Sequence, residues 1–159
     1  MTESDSWTSK LINEQLRKRF ENHDTAKVTN LANQSCIATN MPPKTNIVFE
    51  GSAGDNFGGL NQGSKIVLNG DAGRFVGNGM FGGEIIVNGN CDDGVGHSMS
   101  NGRIVIQGSV DGDAGSSMHG GNLIISGSVR GNLATCMSQG SITICGDVLG
   151  LSLIHISEP

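Results

Sequence analysis

A glycine recurs every nineteen residues through most of this 159-residue chain, and this period limits the possible folds more than any other feature. The recurring residues, here called the key glycines, are Gly51, Gly70, Gly89, Gly108, Gly127 and Gly146. A methionine follows four of them at a distance of ten residues: Met80, Met99, Met118 and Met137. Branched aliphatic residues recur fifteen and seventeen residues after each of the first five key glycines. One short unit is therefore repeated along the chain.

Each unit carries a short apolar run of strand type, such as Ile85, Ile86 and Val87, and shows no helical pattern. Such periods are typical of solenoids, so the sequence predicts an all-β fold, a single-stranded parallel β-helix with nineteen-residue coils over residues 46–150. Equivalent strands would stack about 4.8 Å apart and share parallel hydrogen bonds. A lone coil cannot cover its own apolar face, so stability must come from stacking.

The repeated glycines and methionines then have structural roles. We expect the glycines at corners, where the backbone takes a positive φ angle or passes too close to a neighbouring coil for a Cβ atom. The methionines would form a flexible column of filler inside the coils, and a column of functional thioethers is the alternative. The stretch GNGMFG at residues 77–82 also spells a dinucleotide-binding fingerprint. Because no helical pattern follows it and parts of it recur with the period, we interpret it as a corner.

Residues 1–45 have a different character and predict a short N-terminal helix over residues 7–22, followed by a linker. The helical spacing places Leu11, Ile12, Leu16 and Phe20 on one side. Such a helix either caps the open end of the solenoid or docks on a partner. The prolines at 42 and 43 are expected to interrupt regular structure before a first strand at residues 47–49.

The last nine residues, 151–159, break the period. Their sequence, LSLIHISEP, resembles the in-frame translation of a transposase adapter used in sequencing libraries. We expect this segment to be foreign to the native protein, which would continue into further coils after Gly150.

Charge and composition narrow the classes of function. The net charge is −5 and the ten basic residues are scattered, which gives no footprint for nucleic acid or an anionic membrane. The first ten residues are polar and no apolar run is long enough to span a membrane, so we expect a cytoplasmic protein. The cysteines lack metal-ligand spacing, and Cys91 falls at an inward position. The cysteines are Cys36, Cys91, Cys136 and Cys145.

Two histidines are the strongest candidates for chemistry on the coils. His97 and His119 lie at unequal positions of adjacent units, so nothing in the spacing brings them together as a catalytic pair. We expect both to be solvated corner residues. Lys65, Glu84 and Arg103 share one repeat position and predict a solvated face. We therefore expect no catalytic, cofactor-binding or metal-binding residue in this chain.

Two glycine-rich stretches carry a resemblance to a known family. They are FEGSAGDNFGGL at residues 49–60 and LNGDAGRFVGNGMFGG at residues 68–83. Both resemble the GXGXG family, which includes the C-terminal β-helix domain of the glutamate synthase large subunit and its stand-alone relatives. Later coils are equally similar to the corresponding subunit of formylmethanofuran dehydrogenase and of the related formyltransferase/hydrolase complex. The resemblance covers roughly residues 47–150 and, more faintly, residues 28–39, and it implies a right-handed solenoid.

The resemblance also implies a function without chemistry of its own. In glutamate synthases the glutaminase nucleophile, the flavin mononucleotide (FMN) site and the iron–sulfur ligands belong to other domains or subunits. We therefore expect a scaffold subunit of a hetero-oligomeric complex, with a glutaminase-type amidotransferase and an FMN-binding synthase as partners, in glutamate or N-methylglutamate biosynthesis. The alternatives are the corresponding subunit of a formylmethanofuran dehydrogenase or formyltransferase/hydrolase complex, and a free-standing polysaccharide-active β-helix.

Overall fold

The computed structural model describes residues 3–150 of the chain, with side chains from residue 8 onwards. A helix, α1 (Glu3–Arg19), comes first. Seven strands follow: β1 (Thr25–Gln34), β2 (Asn46–Ala53), β3 (Gln62–Asn69), β4 (Gly82–Val87), β5 (Arg103–Ile106), β6 (Asn122–Ile125) and β7 (Ser141–Ile144). They form a single sheet in the order of the sequence, and every neighbouring pair is parallel.

The register of the sheet reproduces the period of the sequence. Ile66 pairs with Ile85, and Ile85 pairs with Ile104, so equivalent residues stand nineteen positions apart. Isolated parallel bridges repeat the same spacing on the other sides of the coil, for example between Cys91 and Val110. The predicted fold class, a parallel β-solenoid with nineteen-residue coils and a short N-terminal helix, is confirmed.

One continuous apolar core runs along the inside of the coils. It is built from the residues fifteen and seventeen positions after each key glycine, of which Ile66, Ile85 and Ile104 are fully buried. Phe49 and Phe57 fill the first coils with an edge-to-face contact whose ring centroids are 5.3 Å apart. Because a side chain in one coil lies on its counterpart in the next, each coil covers the apolar face of its neighbour.

The key glycines are required by close approach between coils. A Cβ atom on Gly70 would overlap the backbone carbonyl of Gly51, and one on Gly89 would overlap that of Gly70. Gly70 and Gly89 do not need a positive φ angle, so the neighbouring backbone alone excludes a side chain there. The same contact repeats at every key glycine, which explains why this column holds the period without exception.

The methionines and a second column of glycines fit together across coils. Met80, Met99 and Met118 are fully buried, and Met137 is partly buried. A Cβ atom on Gly102 would lie 2.8 Å from the terminal methyl of Met80, and one on Gly121 would lie 2.7 Å from that of Met99. Each methionine therefore fills the space that the glycine of the next coil leaves free.

The first coil begins earlier than the sequence analysis predicts. We expected a first strand at residues 47–49, but β1 lies within the supposed linker and pairs with β2 along its length. The period hides this strand because Ala26 pairs with Ile47, 21 residues later, and Leu31 with Gly51, 20 residues later. The register shifts fall beside Asn30 and Asn33, whose φ angles are 60° and 62°.

Helix α1 packs on this first coil. Its Leu16 is buried, and the Asn13 amide donates to the carbonyl of Cys36 at 2.7 Å and accepts from the N–H of Ala38 at 2.8 Å. Arg17 donates to the carbonyl of Thr39. These contacts cover part of the open end of the solenoid.

The predicted apolar face of α1 is only partly right. Leu16 is buried and Ile12 and Phe20 pack against the core, but Leu11 points outward and is 54% exposed. The helix begins at Glu3 and ends at Arg19, earlier at both ends than the predicted residues 7–22. The proposed adapter segment, residues 151–159, lies outside the described residues.

Candidate docking surfaces

The cysteines take part in no metal-binding cluster within the described part of the chain. All four are free, and no group of three or more histidine, cysteine or acidic side chains in residues 3–150 is arranged to hold a metal ion. Cys91 is 1% exposed, and burial raises the pKa of its thiol, which therefore stays protonated. An iron–sulfur cluster needs grouped thiolates, and these scattered cysteines do not fit one.

The two histidines lie apart, each in a contact of its own. His97 is half-buried with its ring edge against Phe75, at a centroid distance of 6.0 Å. His119 is exposed, and its Nδ1 lies 3.0 Å from the hydroxyl of Ser138 in the next coil. Ser138 also approaches the carbonyl of Met118, as Ser100 approaches that of Met80, so this serine position braces adjacent coils. His119 is solvated, as predicted, whereas His97 is half-buried.

The nucleotide fingerprint at residues 77–82 forms a corner of the solenoid. Gly77 and Gly79 take φ angles of 68° and 65°, and Gly82 opens β4 rather than a helix. A Cβ atom on Gly77 would overlap the side chain of Ile104 in the coil that follows β4. Pyrophosphate binding needs a helix N-terminus at this point, and the chain has a strand there.

Much of the polar surface is occupied by bonds between coils. In the column that follows the key glycines, Asp71 accepts from the N–H of Asn90 at 2.8 Å. Asn90 in turn accepts from the N–H of Ser109 at 2.9 Å. The column of Lys65, Glu84 and Arg103 is a chain of ion pairs, with N–O distances of 3.8 and 3.2 Å. Lys65 and Arg103 are largely exposed, in agreement with the predicted solvated face. In addition, the three side chains form bridges between adjacent coils.

Asp55 and Arg74 form the best-defined ion pair. The carboxylate of Asp55 accepts from the backbone N–H of Arg74 at 2.8 Å and from its guanidinium at 3.0 Å. The backbone bond first, and then the guanidinium, hold the pKa of Asp55 below its usual value. This pair joins the first two nineteen-residue units.

Three large apolar side chains of the coils are exposed, namely Leu60, Phe81 and, in the last coil, Leu149 at 64%. Leu60 is 49% exposed and Phe81 is 55% exposed. The equivalents of Leu60 in later coils are small, namely Gly79, Ser98 and Ser117. The equivalents of Phe81 are polar, namely Ser100, His119 and Ser138. The solenoid therefore does not require apolar side chains at either position, and the sequence analysis missed both.

Two grooves flank α1. The first, of about 310 Å³, is polar and includes Asn13, Arg17 and Cys36 among its walls. The second, of about 470 Å³, lies between α1 and the free edge of β1. Its apolar walls are Ile12, Leu16, Ala26 and Val28. Arg19, Lys27 and Thr29 also line it. We call this second space the β1 groove.

Most of the net charge lies on the solenoid column. Residues 1–45 contain six basic and five acidic side chains, a net charge of +1. Residues 46–150 contain four basic and nine acidic side chains, a net charge of −5. The column is therefore acidic, whereas the N-terminal segment is nearly neutral.

Comparison with known families agrees with this architecture. The family model of the GXGXG motif matches residues 8–90, which is 83 of the 159 residues of the chain. The chain belongs to the GXGXG motif family. The match includes residues 28–39, where the sequence of this GXGXG protein shows only a faint resemblance, and it extends further towards the N-terminus to include most of α1. No curated protein shows significant similarity to the chain. No helix in residues 3–150 is both long and apolar enough to cross a membrane.

Proposed function

We propose that this chain is a non-catalytic scaffold subunit of a cytoplasmic, glutamate-synthase-like complex. The observation that carries the proposal is the GXGXG family match over residues 8–90 on a continuous stack of coils. In this role the chain holds a glutaminase-type amidotransferase and an FMN-binding synthase in fixed positions. Nitrogen from glutamine then passes to a 2-oxo acid through the partner chains, in glutamate or N-methylglutamate biosynthesis.

The physical properties of the solenoid suit this role. Every coil is hydrogen-bonded to its neighbours in one parallel sheet, and the described residues contain no buried side-chain polar atom without a hydrogen-bond partner. Such a stack transmits position without large internal motion. From the resemblance to glutamate synthases, we place the iron–sulfur cluster and FMN in the partner chains.

Co-purification tests this proposal. The full-length chain is expressed with the products of its neighbouring genes and isolated through an affinity tag on this chain. We expect an amidotransferase-type and a flavin-type chain to elute with it, and glutamine to be consumed only by the assembled complex. A chain that binds neither product, or that consumes glutamine alone, would contradict the scaffold role.

The same experiment distinguishes the runner-up. The corresponding subunit of a formyl-transferring complex has the same kind of coils, as the resemblance of residues 108–121 indicates. Co-elution of amidohydrolase-like and formyltransferase chains would favour this second function.

A further inference from the structure

We propose that the β1 groove binds an extended, acidic segment of a partner protein, which adds a strand to the free edge of β1. The inference rests on the proposed function in one respect, because a scaffold subunit must have sites at which its partners dock. It is carried by the unpaired edge of β1, the apolar floor beside α1 and two cations on the rim.

The edge of β1 is available for strand pairing. β1 is the first strand of the sheet and pairs only with β2. The carbonyl of Asp24 accepts from the N–H of Asn46, so the backbone groups of even-numbered residues at this end of β1 face β2. Because backbone groups alternate along a strand, those of Lys27 and Thr29 face the opposite side. An extended segment placed there meets N–H and C=O groups of an edge strand.

The floor of the groove favours a side chain of moderate size. Ala26 is 9% exposed and Val28 is half-buried, and both pack at the end of the apolar core. Ile12 and Leu16 of α1 form the facing wall. Ala26 and Leu16 are already buried, at 9% and 4% exposure, so the apolar surface that stays open is that of the half-buried Val28 and Ile12. An occupant strand with an apolar residue beside Val28 covers this remaining surface.

The basic side chains at the rim of the groove favour an acidic occupant. Lys27 and Arg19 line the groove, and neither forms an ion pair with another described residue. Arg19 uses its Nε to bond the carbonyl of Thr25. Within the sheet, Lys65 pairs with Glu84 on the adjacent strand at 3.8 Å. The same cross-strand arrangement would place an acidic side chain of the occupant beside Lys27.

A second copy of the chain fits this edge less well. Pairing of two β1 strands would bring Lys27 and Arg19 of both copies together, which is unfavourable for like charges. The bulges beside Asn30 and Asn33 also limit the length of regular edge that two copies share. An acidic segment of another protein meets neither obstacle over residues 27–29, next to the carbonyl of Thr25 that Arg19 already bonds.

Peptide binding to the full-length chain tests the proposal. The probe is a fluorescent peptide of sequence Glu-Val-Glu-Val-Glu-Val-Glu, measured by anisotropy at low salt. Its controls are the same peptide with lysine for glutamate, and the acidic peptide N-methylated at alternate residues along one edge, in either of the two phases. We expect the acidic peptide to bind at least about fivefold more tightly than the lysine peptide, and one of the two methylated forms to lose binding.

Variants locate the site. Lys27→Glu should weaken binding of the acidic peptide at least about fivefold, whereas Arg130→Glu, the same charge change at an exposed distant residue, should alter it less than about twofold. Thr29→Pro removes an outward N–H without removing a bond to β2, and should also weaken binding. Thermal unfolding of each variant shows that it is folded.

Three outcomes would overturn the inference. They are equal binding of the acidic and lysine peptides, binding that Lys27→Glu leaves unchanged, and self-association of the wild type that Lys27→Glu abolishes, since a second copy would then be the occupant. The scaffold function fails separately. If the neighbouring gene products co-purify equally with the wild type and with Lys27→Glu, the groove is wrong as their docking site while the scaffold stands. If the peptide binds but no partner co-purifies with the wild type, the scaffold function is wrong while the groove stands as a peptide-binding site.

Discussion

The first coils and the later coils of this solenoid stack in the same way, but the first coils are less regular in strand length and in sequence. β1 to β3 are 10, 8 and 8 residues long, whereas β5 to β7 are 4 residues each. The later coils repeat a methionine, a glycine and two aliphatic residues. The first coils have bulges, a helix, several buried polar side chains such as Asn61, and exposed apolar ones such as Leu60. The comparison shows that stacking needs the recurring glycine and aliphatic residues, whereas the other features of the first coils are not required by it.

The column of methionines shows this contrast at one position. Asn61 takes the place of a methionine in the first nineteen-residue unit and is fully buried. Its side chain accepts from the N–H groups of Gly63 and Ser64 and donates to the carbonyl of Ser64. The later coils fill the same space with an unbranched apolar chain, which places no demand on its neighbours. The unit that contains Asn61 thus uses local hydrogen bonds where the later coils use stacked methionines.

The largest effect on stability is expected at the key glycines, which both regions share. Gly70→Ala should destabilise the chain by more than about 4 kcal/mol, because the added methyl overlaps the backbone carbonyl of Gly51. Gly59→Ala is the matched control, since its nearest contacts would be at 3.7 Å and its φ is not positive. Urea unfolding followed by circular dichroism measures both. Equal stability of the two variants would contradict the close-approach explanation.

A core substitution compares the middle of the stack with its later part. Met99→Ala should cost about 2–5 kcal/mol, because it leaves a cavity beneath Gly121. Met137→Ala should cost less, since Met137 is only partly buried. The same unfolding measurement applies, and a larger loss for Met137→Ala would show that the methionines do not act as filler.

The Asp55–Arg74 pair gives a smaller, pH-dependent effect in the first coils. The folded-state pKa of Asp55 is lowered, so its contribution is complete above the ordinary value of about 3.9 and is lost as the pH falls through the folded-state pKa. Asp55→Asn should remove part of the loss of stability that accompanies the fall in pH. At neutral pH it should lower the free energy of unfolding by up to about 1 kcal/mol, a small amount because the pair is exposed. Unfolding curves between pH 2 and 7 test this, and a variant with the same pH profile as the wild type would refute it.

The smallest effect on stability is expected for the apolar side chains on the surface. Leu60→Ser and Phe81→Ser restore the polar type found in later coils, and each should change stability by less than about 0.5 kcal/mol. Leu68→Ser, in the fully buried column, is the contrasting variant and should be strongly destabilising. A loss above about 2 kcal/mol for Phe81→Ser would mean that the first coils need this side chain for folding.

The sequence predicts the later coils well because their spacing is a direct consequence of stacking. A residue such as Ile104 is specified by its neighbours at 85 and 123, so one period describes the fold from residue 51 onwards. β1 escapes this logic because its bulges change the offset to 21 and 20 residues, although the apolar spacing of Ala26, Val28 and Leu31 carries a strand signal.

The β1 groove could not be predicted from the sequence, for a different reason. The β1 groove joins residues of α1 and β1 that are brought together only when the helix packs on the coil. No period relates Ile12 to Val28. Leu60 and Phe81 were detectable in principle, because each is an apolar residue at a repeat position that is small or polar in later coils.

Reconstitution tests the scaffold role most directly. The amidotransferase-type and flavin-type partners are purified separately, and glutamine-dependent amination of a 2-oxo acid is measured with and without this chain. The account predicts that the two partners couple glutamine hydrolysis to amination only when the chain is added, and that the chain alone is inactive. Equal coupling by the two partners without the chain would contradict it.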